Sequence, residues 1–221
     1  MSQSQIITID GPAGVGKSTI ARRLAKSLGI AYLDTGAMFR ILAKTLGPEG
    51  LTLSEQQLAE KLAALRFSLS GTGGETLLAC NGAVAGQEIR TEEIGLLASK
   101  YATLPVVREY LKKAQQDLGK EYSLVAEGRD MGTAVFPDTP CKFFLDASPE
   151  VRALRRVRQL AENGVVEDLE TVTRQIKERD DQDRNRPIAP LRPADDAVII
   201  ETSNGTIEQV TRAILGEIPV D

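Results

Sequence analysis

The sequence predicts an α/β protein, a five-stranded parallel sheet flanked by helices. Three observations predict it. Short β-branched, apolar runs alternate with stretches whose apolar residues recur at helical spacing. A glycine-rich loop joins the first such run to the first helix. Three of the runs end in charged residues, and open parallel sheets bind ligands beyond their carboxyl ends.

Ile6-Ile7-Thr8-Ile9 reads as a buried strand. The loop Gly11-Pro12-Ala13-Gly14-Val15-Gly16-Lys17-Ser18-Thr19 follows it and fits the phosphate-binding pattern G-x-x-x-x-G-K-[ST]. Ile20, Leu24 and Leu28 then repeat at helical spacing, with Gly29 as a C-cap. Glycines let several backbone N–H groups turn towards one anion, and the helix N-terminus adds unpaired donors. Lys17 can reach the outer phosphates of a nucleotide, and the Ser18 hydroxyl can ligate Mg²⁺.

Ile30–Leu33 forms the second strand, ending in Asp34-Thr35-Gly36. A helix with Met38, Phe39, Ile41 and Leu42 follows, broken by Gly47-Pro48-Glu49-Gly50. Ser54 and Gln57 make a capping box for a short helix. Phe67–Leu69 and Thr76–Cys80 read as strands, and Asn81-Gly82 is a hairpin signal, so residues of about 66–89 form a small antiparallel insertion. Thr91 reopens helix, Pro105 begins or interrupts the next, and Gly119 stops it. Ser123–Ala126 is the third sheet strand, ending in Glu127-Gly128-Arg129-Asp130, and Cys141–Asp146 is the fourth. Ser148 and Pro149 start an arginine-rich helix, Asn163-Gly164 turns the chain into another, and Asn185–Pro190 ends that one. Val198–Ile200 is the fifth strand, before a last helix with Ile207, Val210 and Ile214.

The three charged strand ends, with Arg40, are expected on one rim beside the glycine loop. Two helical constellations join them. Val172, Ile176, Arg179, Asp183 and Arg186 share a face by i,i+3/i+4 spacing, so the apolar end anchors the helix and the Arg-Asp-Arg end meets a polar ligand. Arg152, Arg155 and Arg156 also share a face, in a cluster extending to Arg158, and guanidinium groups pair bidentately with phosphate oxygens. That arrangement suits a lid over a triphosphate, spanning about 150–190.

Composition narrows the chemistry. The 221 residues suit one domain. With 27 basic and 31 acidic residues, the chain has no global basic footprint for nucleic acid. It has no histidine, so acid–base work falls to carboxylates or lysine. Cys80 and Cys141 lie in apolar runs and read as reduced core residues, which places the protein in the cytoplasm. No secretory signal is read before the first strand, and no apolar run is long enough to span a bilayer.

The segments G-P-A-G-V-G-K-S-T, L-D-T-G-A-M-F-R, E-G-R-D-M-G-T-A-V-F-P, F-L-D-A-S-P-E-x-R and I-K-E-R-D-D-Q-D-R-N-R together resemble the bacterial cytidylate kinases. The first is common to a vast class; the second, third and fifth are far more specific. The resemblance runs from the first strand to the last helix. It implies the P-loop nucleoside monophosphate kinase fold, with a monophosphate-binding region of about 37–118 that carries the antiparallel insertion, and a helical lid. It implies transfer of a phosphoryl group from ATP, with Mg²⁺, to CMP or dCMP; the chain itself is expected to act as a monomer. It further implies that Thr35, Phe39 and Arg40 contact the CMP phosphate and base; the family often has Ser and Tyr at the first two. Ser99, Arg108, Asp130 and Arg186 would read cytosine, Arg129 would hold the monophosphate, and Arg179 and Asp183 would bind the ribose hydroxyls. Lys17, Mg²⁺ and the lid arginines Arg152, Arg155 and Arg156 would stabilise the transferring phosphoryl group. The acceptor is already an anion, so no general base is needed.

Two rivals stay open at this stage. One is a kinase for another acceptor, such as UMP, AMP, shikimate or dephospho-coenzyme A. The other is an ATP-binding switch, which would turn over ATP without an acceptor.

Overall fold

In a computed structural model the described residues are 4–162 and 164–219. Asn163, half of the expected Asn163-Gly164 turn, lies outside them. The elements follow the alternation read from the sequence. In chain order they are β1 (Ile6–Asp10), α1 (Lys17–Leu28), β2 (Ala31–Asp34), α2 (Thr35–Leu46), α3 (Glu55–Ala63), β3 (Phe67–Ser70), β4 (Leu77–Cys80), β5 (Ala83–Val84), α4 (Glu92–Tyr101), α5 (Pro105–Glu121), β6 (Leu124–Glu127), β7 (Cys141–Asp146), α6 (Pro149–Glu162), α7 (Leu169–Asn185), β8 (Val198–Glu201) and α8 (Ile207–Glu217). Five strands form one sheet in the order β2-β6-β1-β7-β8, and β3-β4-β5 form a separate antiparallel one. Both features match the expected fold class.

Local chemistry sets most boundaries. Asp34 caps α2 by accepting from the Ala37 N–H at 2.9 Å. Ser54 and Gln57 make the reciprocal capping box of α3, and Thr206 with Gln209 makes a second on α8. Thr91 caps α4, and Pro105 opens α5 at a position that needs no N–H donor. Asn81 and Gly82 both take positive φ, 49° and 80°, as the two-residue hairpin between β4 and β5 requires.

Two boundaries differ from the sequence reading. Helix α5 runs through Gly119 to Glu121, because Gly119 is buried and its carbonyl accepts from the Ser4 hydroxyl at 2.7 Å. A packed glycine with its carbonyl satisfied does not end a helix. After β6, Met131–Val135 winds into a single wide helical turn that periodicity does not announce.

The chain divides into two compact units. One comprises Ala25–Ala126 with the chain up to Ile6. Its core holds Met38, Leu42, Leu62, Ile89, Tyr101, Leu111 and Leu124, and the Tyr101 hydroxyl donates to the Gly47 carbonyl at 2.6 Å. The other comprises Ile7–Leu24 and the chain from Glu127 on. Here β1 and β8 flank β7 in parallel, with Ile9 opposite Phe143 and Phe143 opposite Val198. Ala153 of α6 packs on Val172 and Ile176 of α7, with Val157 and Leu160 at the margin. The cysteines Cys80 and Cys141 are free and buried, as their apolar settings suggested.

Candidate active site

The glycine loop leaves β1 and enters α1, as the pattern requires. Gly11 sits at φ 145°, and a Cβ there would collide with the Leu145 carbonyl of β7, so only glycine lets the loop lie this close to the sheet. Three loop carbonyls are tied. The Lys17 ammonium donates to Pro12 O at 2.6 Å, Arg152 Nη1 to Ala13 O at 3.1 Å, and the Thr202 hydroxyl to Val15 O at 3.2 Å.

Behind the loop lies a buried charge cluster. The Asp10 carboxylate accepts from the N–H groups of Met131 and Gly132 at 2.9 and 2.8 Å, which holds the wide turn after β6. Burial pushes the Asp10 carboxyl up to about 6 and Asp130 adds to the rise, while the two N–H donors and Lys17 oppose it. Burial likewise brings the Lys17 ammonium down to about 7; Arg129 and Arg179 push the same way, Glu127 and Asp10 against it. A lysine so placed gains most from an arriving polyanion.

The second constellation is assembled largely as expected. Arg129 Nε donates to Asp183 at 2.9 Å, and Arg186 Nη2 donates to the buried Asp130 at 3.1 Å. Arg186, just past the end of α7, is also fixed by the Ala189 carbonyl at 2.6 Å. Burial raises the Asp183 carboxyl, but Arg129, Arg179 and Arg186 outweigh it and the net shift is downward. Val172 and Ile176 anchor the same helix face in the α6–α7 core, and Arg179 is exposed on the next turn.

The arginines of α6, expected to act together, have different settings. Arg152 is only 1% exposed. Its Nε donates to Ala147 O at 2.9 Å, and its Nη atoms make a bidentate pair with Asp180 in addition to the Ala13 bond. Arg155 donates to the Thr202 carbonyl at 2.5 Å and to its hydroxyl at 3.3 Å. Arg156, which bonds Gln159 at 3.1 Å, and Arg158 are exposed. Helical spacing gives direction, not burial, and Arg152 points inward.

In the other unit Thr35 is buried at the start of α2 and Phe39 is half-buried. Arg40 donates to the carbonyls of Ile89 and Thr91, both at 3.1 Å, and lies so close over Gly95 that a Cβ there would meet its guanidinium at 2.8 Å. Ser99, one turn further along α4, donates to the Gly95 carbonyl at 3.1 Å, so Arg40 and the Ser99 turn are neighbours. Arg108 reaches the Ala102 carbonyl at 3.4 Å. Arg90, absent from the sequence reading, pairs with Asp34 at 2.7 Å.

The family model described as cytidylate kinase matches residues 7–219. The chain belongs to the cytidylate kinase family. A relative named cytidylate kinase from Oleidesulfovibrio alaskensis is 56% identical over 218 residues, covering 99% of this chain and 100% of that one. Another with that name, from Lawsonia intracellularis, is 47% identical over 220 residues, covering 100% and 98%. A crystal structure of an uncharacterized protein from Eubacterium ventriosum aligns with a TM-score of 0.50 at 15% identity, over 96% of this chain and 97% of that one, a likeness of fold alone.

Within this cytidylate kinase chain, sequence reasoning missed Asp10, Asp180 and Thr202. Asp10 had a signal: it is the only charge in an otherwise apolar strand. So did Asp180, which continues the Val172, Ile176 stripe by one more i+4 step. Thr202 had none. No group of three His, Cys, Asp or Glu side chains that could hold a metal ion occurs among the described residues, and the Ser18 hydroxyl, proposed from the sequence as a Mg²⁺ ligand, is on an exposed residue. None of their helices is long and apolar enough to cross a membrane.

Proposed function

We propose that this cytidylate kinase chain transfers the γ-phosphoryl group of ATP to CMP or dCMP, giving ADP and CDP or dCDP. The observation that carries the reading is the pairing of two recognition sets in one unit. A loop with a buried lysine is built for a polyanion. The Arg129–Asp183 and Arg186–Asp130 pairs offer both donors and acceptors, which a nucleoside monophosphate needs.

In this reading Gly11 to Thr19 cradle the ATP phosphates. Lys17 neutralises the charge that develops on the transferring group, and the Ser18 hydroxyl would hold Mg²⁺, which would supply further positive charge at the phosphates. Arg40 and Arg129 aim the CMP phosphate, assisted by Thr35 and Phe39. Arg179 and Asp183 take the ribose, and Ser99, Arg108, Asp130 and Arg186 take the base. The acceptors are small molecules, with no nucleic acid or membrane partner, and the enzyme acts as a monomer in the cytoplasm. Orientation and charge supply the rate, since the nucleophile needs no deprotonation.

The deciding experiment is an ADP-release assay with each nucleoside monophosphate in turn. CMP and dCMP should support turnover far above the acceptor-free rate. Equal ADP release with and without acceptor would overturn the kinase reading.

A further inference from the structure

The geometry points to Arg152 and Asp180 as a positioning pair that holds the glycine loop in its anion-receiving shape, rather than to Arg152 as a ligand of the phosphates. The inference rests on the proposal that this loop binds the ATP triphosphate.

The loop's N–H groups can converge on an anion only if its carbonyls are kept pointing elsewhere. Two of those carbonyls are held from one helix. Arg152 of α6 bonds Ala13 O directly. Arg155, one turn later, holds Thr202, whose hydroxyl bonds Val15 O. Between those carbonyls sits Gly14, at φ 82°, where a Cβ would lie 3.2 Å from the Cβ of Arg152. The loop therefore rests on the α6 backbone at Arg152.

Arg152 cannot do this alone. A guanidinium excluded from water needs a counter-charge, and within the protein a carboxylate matches its planar fork with two parallel bonds. Asp180 of α7 is that carboxylate, 7% exposed. Two further donations, to Ala147 O and Ala13 O, then leave Arg152 with most of its donors engaged. Releasing it to a phosphate would leave Asp180 buried and unpaired, an expensive exchange. The exposed Arg156 carries no such constraint.

The two roles predict opposite results for Asp180→Asn. If Arg152 were a phosphate ligand restrained by Asp180, removing the charge would free it, and nucleotide binding would tighten or stay the same. If the pair positions the loop, Asp180→Asn loosens it, and binding weakens. We would measure dissociation constants for inorganic tripolyphosphate, ATP and CMP on the parent, Asp180→Asn, Arg152→Lys, Thr202→Val and Lys17→Ala, together with exchange of the residue 13–16 amides in the ligand-free protein.

The expected result is at least tenfold weaker tripolyphosphate and ATP binding in Asp180→Asn and in Arg152→Lys. CMP binding should stay within about twofold, and loop amides should exchange faster. Thr202→Val should show a smaller loss in the same direction, and it decides the matter should the buried-pair variants fail to fold. Unchanged or tighter ATP binding in Asp180→Asn, or in Thr202→Val where it must decide, overturns the inference. Lys17→Ala separates the premise from the inference. If it too leaves ATP binding intact, the loop is not the donor site; if it abolishes binding while Asp180→Asn does not, only the positioning role fails.

Discussion

Lys17 is where one residue's environment bears most directly on the reaction. Held at about 7, it is mostly neutral at pH 8 and mostly charged at pH 6 in the ligand-free protein. A triphosphate beside it favours the ammonium and returns its titration towards the ordinary value near 10.5. ATP binding at pH 8 should therefore take up close to one proton, and uptake by Lys17 should shrink as pH falls through 7. Calorimetry of ATP binding in buffers of different ionisation enthalpy reads this number directly, and Lys17→Ala should abolish the uptake at pH 8. The same variant should lower turnover by at least about a hundredfold, the scale of losing one positioned charge at a developing anion, with little change in CMP binding. Retained turnover would remove Lys17 from the donor site. Lys17 was legible in the sequence because its motif is local. Asp10 and Asp180 left a trace in the pattern of their strand and helix, but their burial and partners were not legible, because these depend on which segments pack together. Helical spacing grouped Arg152 with Arg156 although one is buried and the other exposed.

At the scale of the element, caps and turns were read well because each is decided within four residues: Ser54 with Gln57, Thr91 with its helix, Asn81 with Gly82. The wide turn Met131–Val135 escaped because the N–H groups of its first two residues are held by Asp10, over a hundred residues away. Two expectations belong here. Gly11→Ala places a methyl against the Leu145 carbonyl at a φ that side chains avoid, so it should destabilise the protein by about 2 kcal/mol. In a chain of this size that lowers Tm by about 4–8 °C in a thermal melt; an unchanged melt would mean that the loop can lift off the sheet freely. The second concerns α6 and α7. The buried Arg152–Asp180 pair ties their inner ends, but their apolar contact is a small cluster around Ala153, Val172 and Ile176, and Val165, Val166 and Leu169 beyond it are exposed. Few buried contacts mean low local stability. Hydrogen exchange should be fast in the outer halves of these helices and should slow when ATP is bound, as a closing lid requires. Equal protection with and without ATP would argue for a rigid hairpin.

At the scale of the whole molecule, strand–helix alternation announced a parallel sheet, but not the order β2-β6-β1-β7-β8, since pairing between distant strands leaves no local mark. The division into two compact units was likewise not legible. What the assembled molecule must achieve is selection of one base, and the buried Asp130 makes that selection testable. Cytosine presents a donor at N4 and acceptors at N3 and O2, whereas uracil presents an acceptor at O4 and a donor at N3. In the proposed function Asp130 accepts from N4 and Arg186 donates towards N3 and O2. The 3.1 Å bond between them fixes both groups before any base arrives. With UMP, Asp130 would meet O4 with no proton between them, and the guanidinium would meet the N3–H. A site of fixed, buried donors and acceptors rejects such an analogue because its own groups lose their partners, at about 1–3 kcal/mol each. Two mismatches should make UMP roughly a hundredfold worse than CMP in kcat/KM, at about 1.4 kcal/mol per factor of ten. Asp130→Asn should narrow the gap from both sides. Its amide oxygen can still accept from Arg186, while its NH₂ can donate to O4 of uracil but opposes N4 of cytosine. Specificity constants for CMP, dCMP and UMP on the two proteins decide the matter. Similar values for CMP and UMP in the parent would remove Asp130 and Arg186 from base recognition while leaving phosphoryl transfer itself untouched.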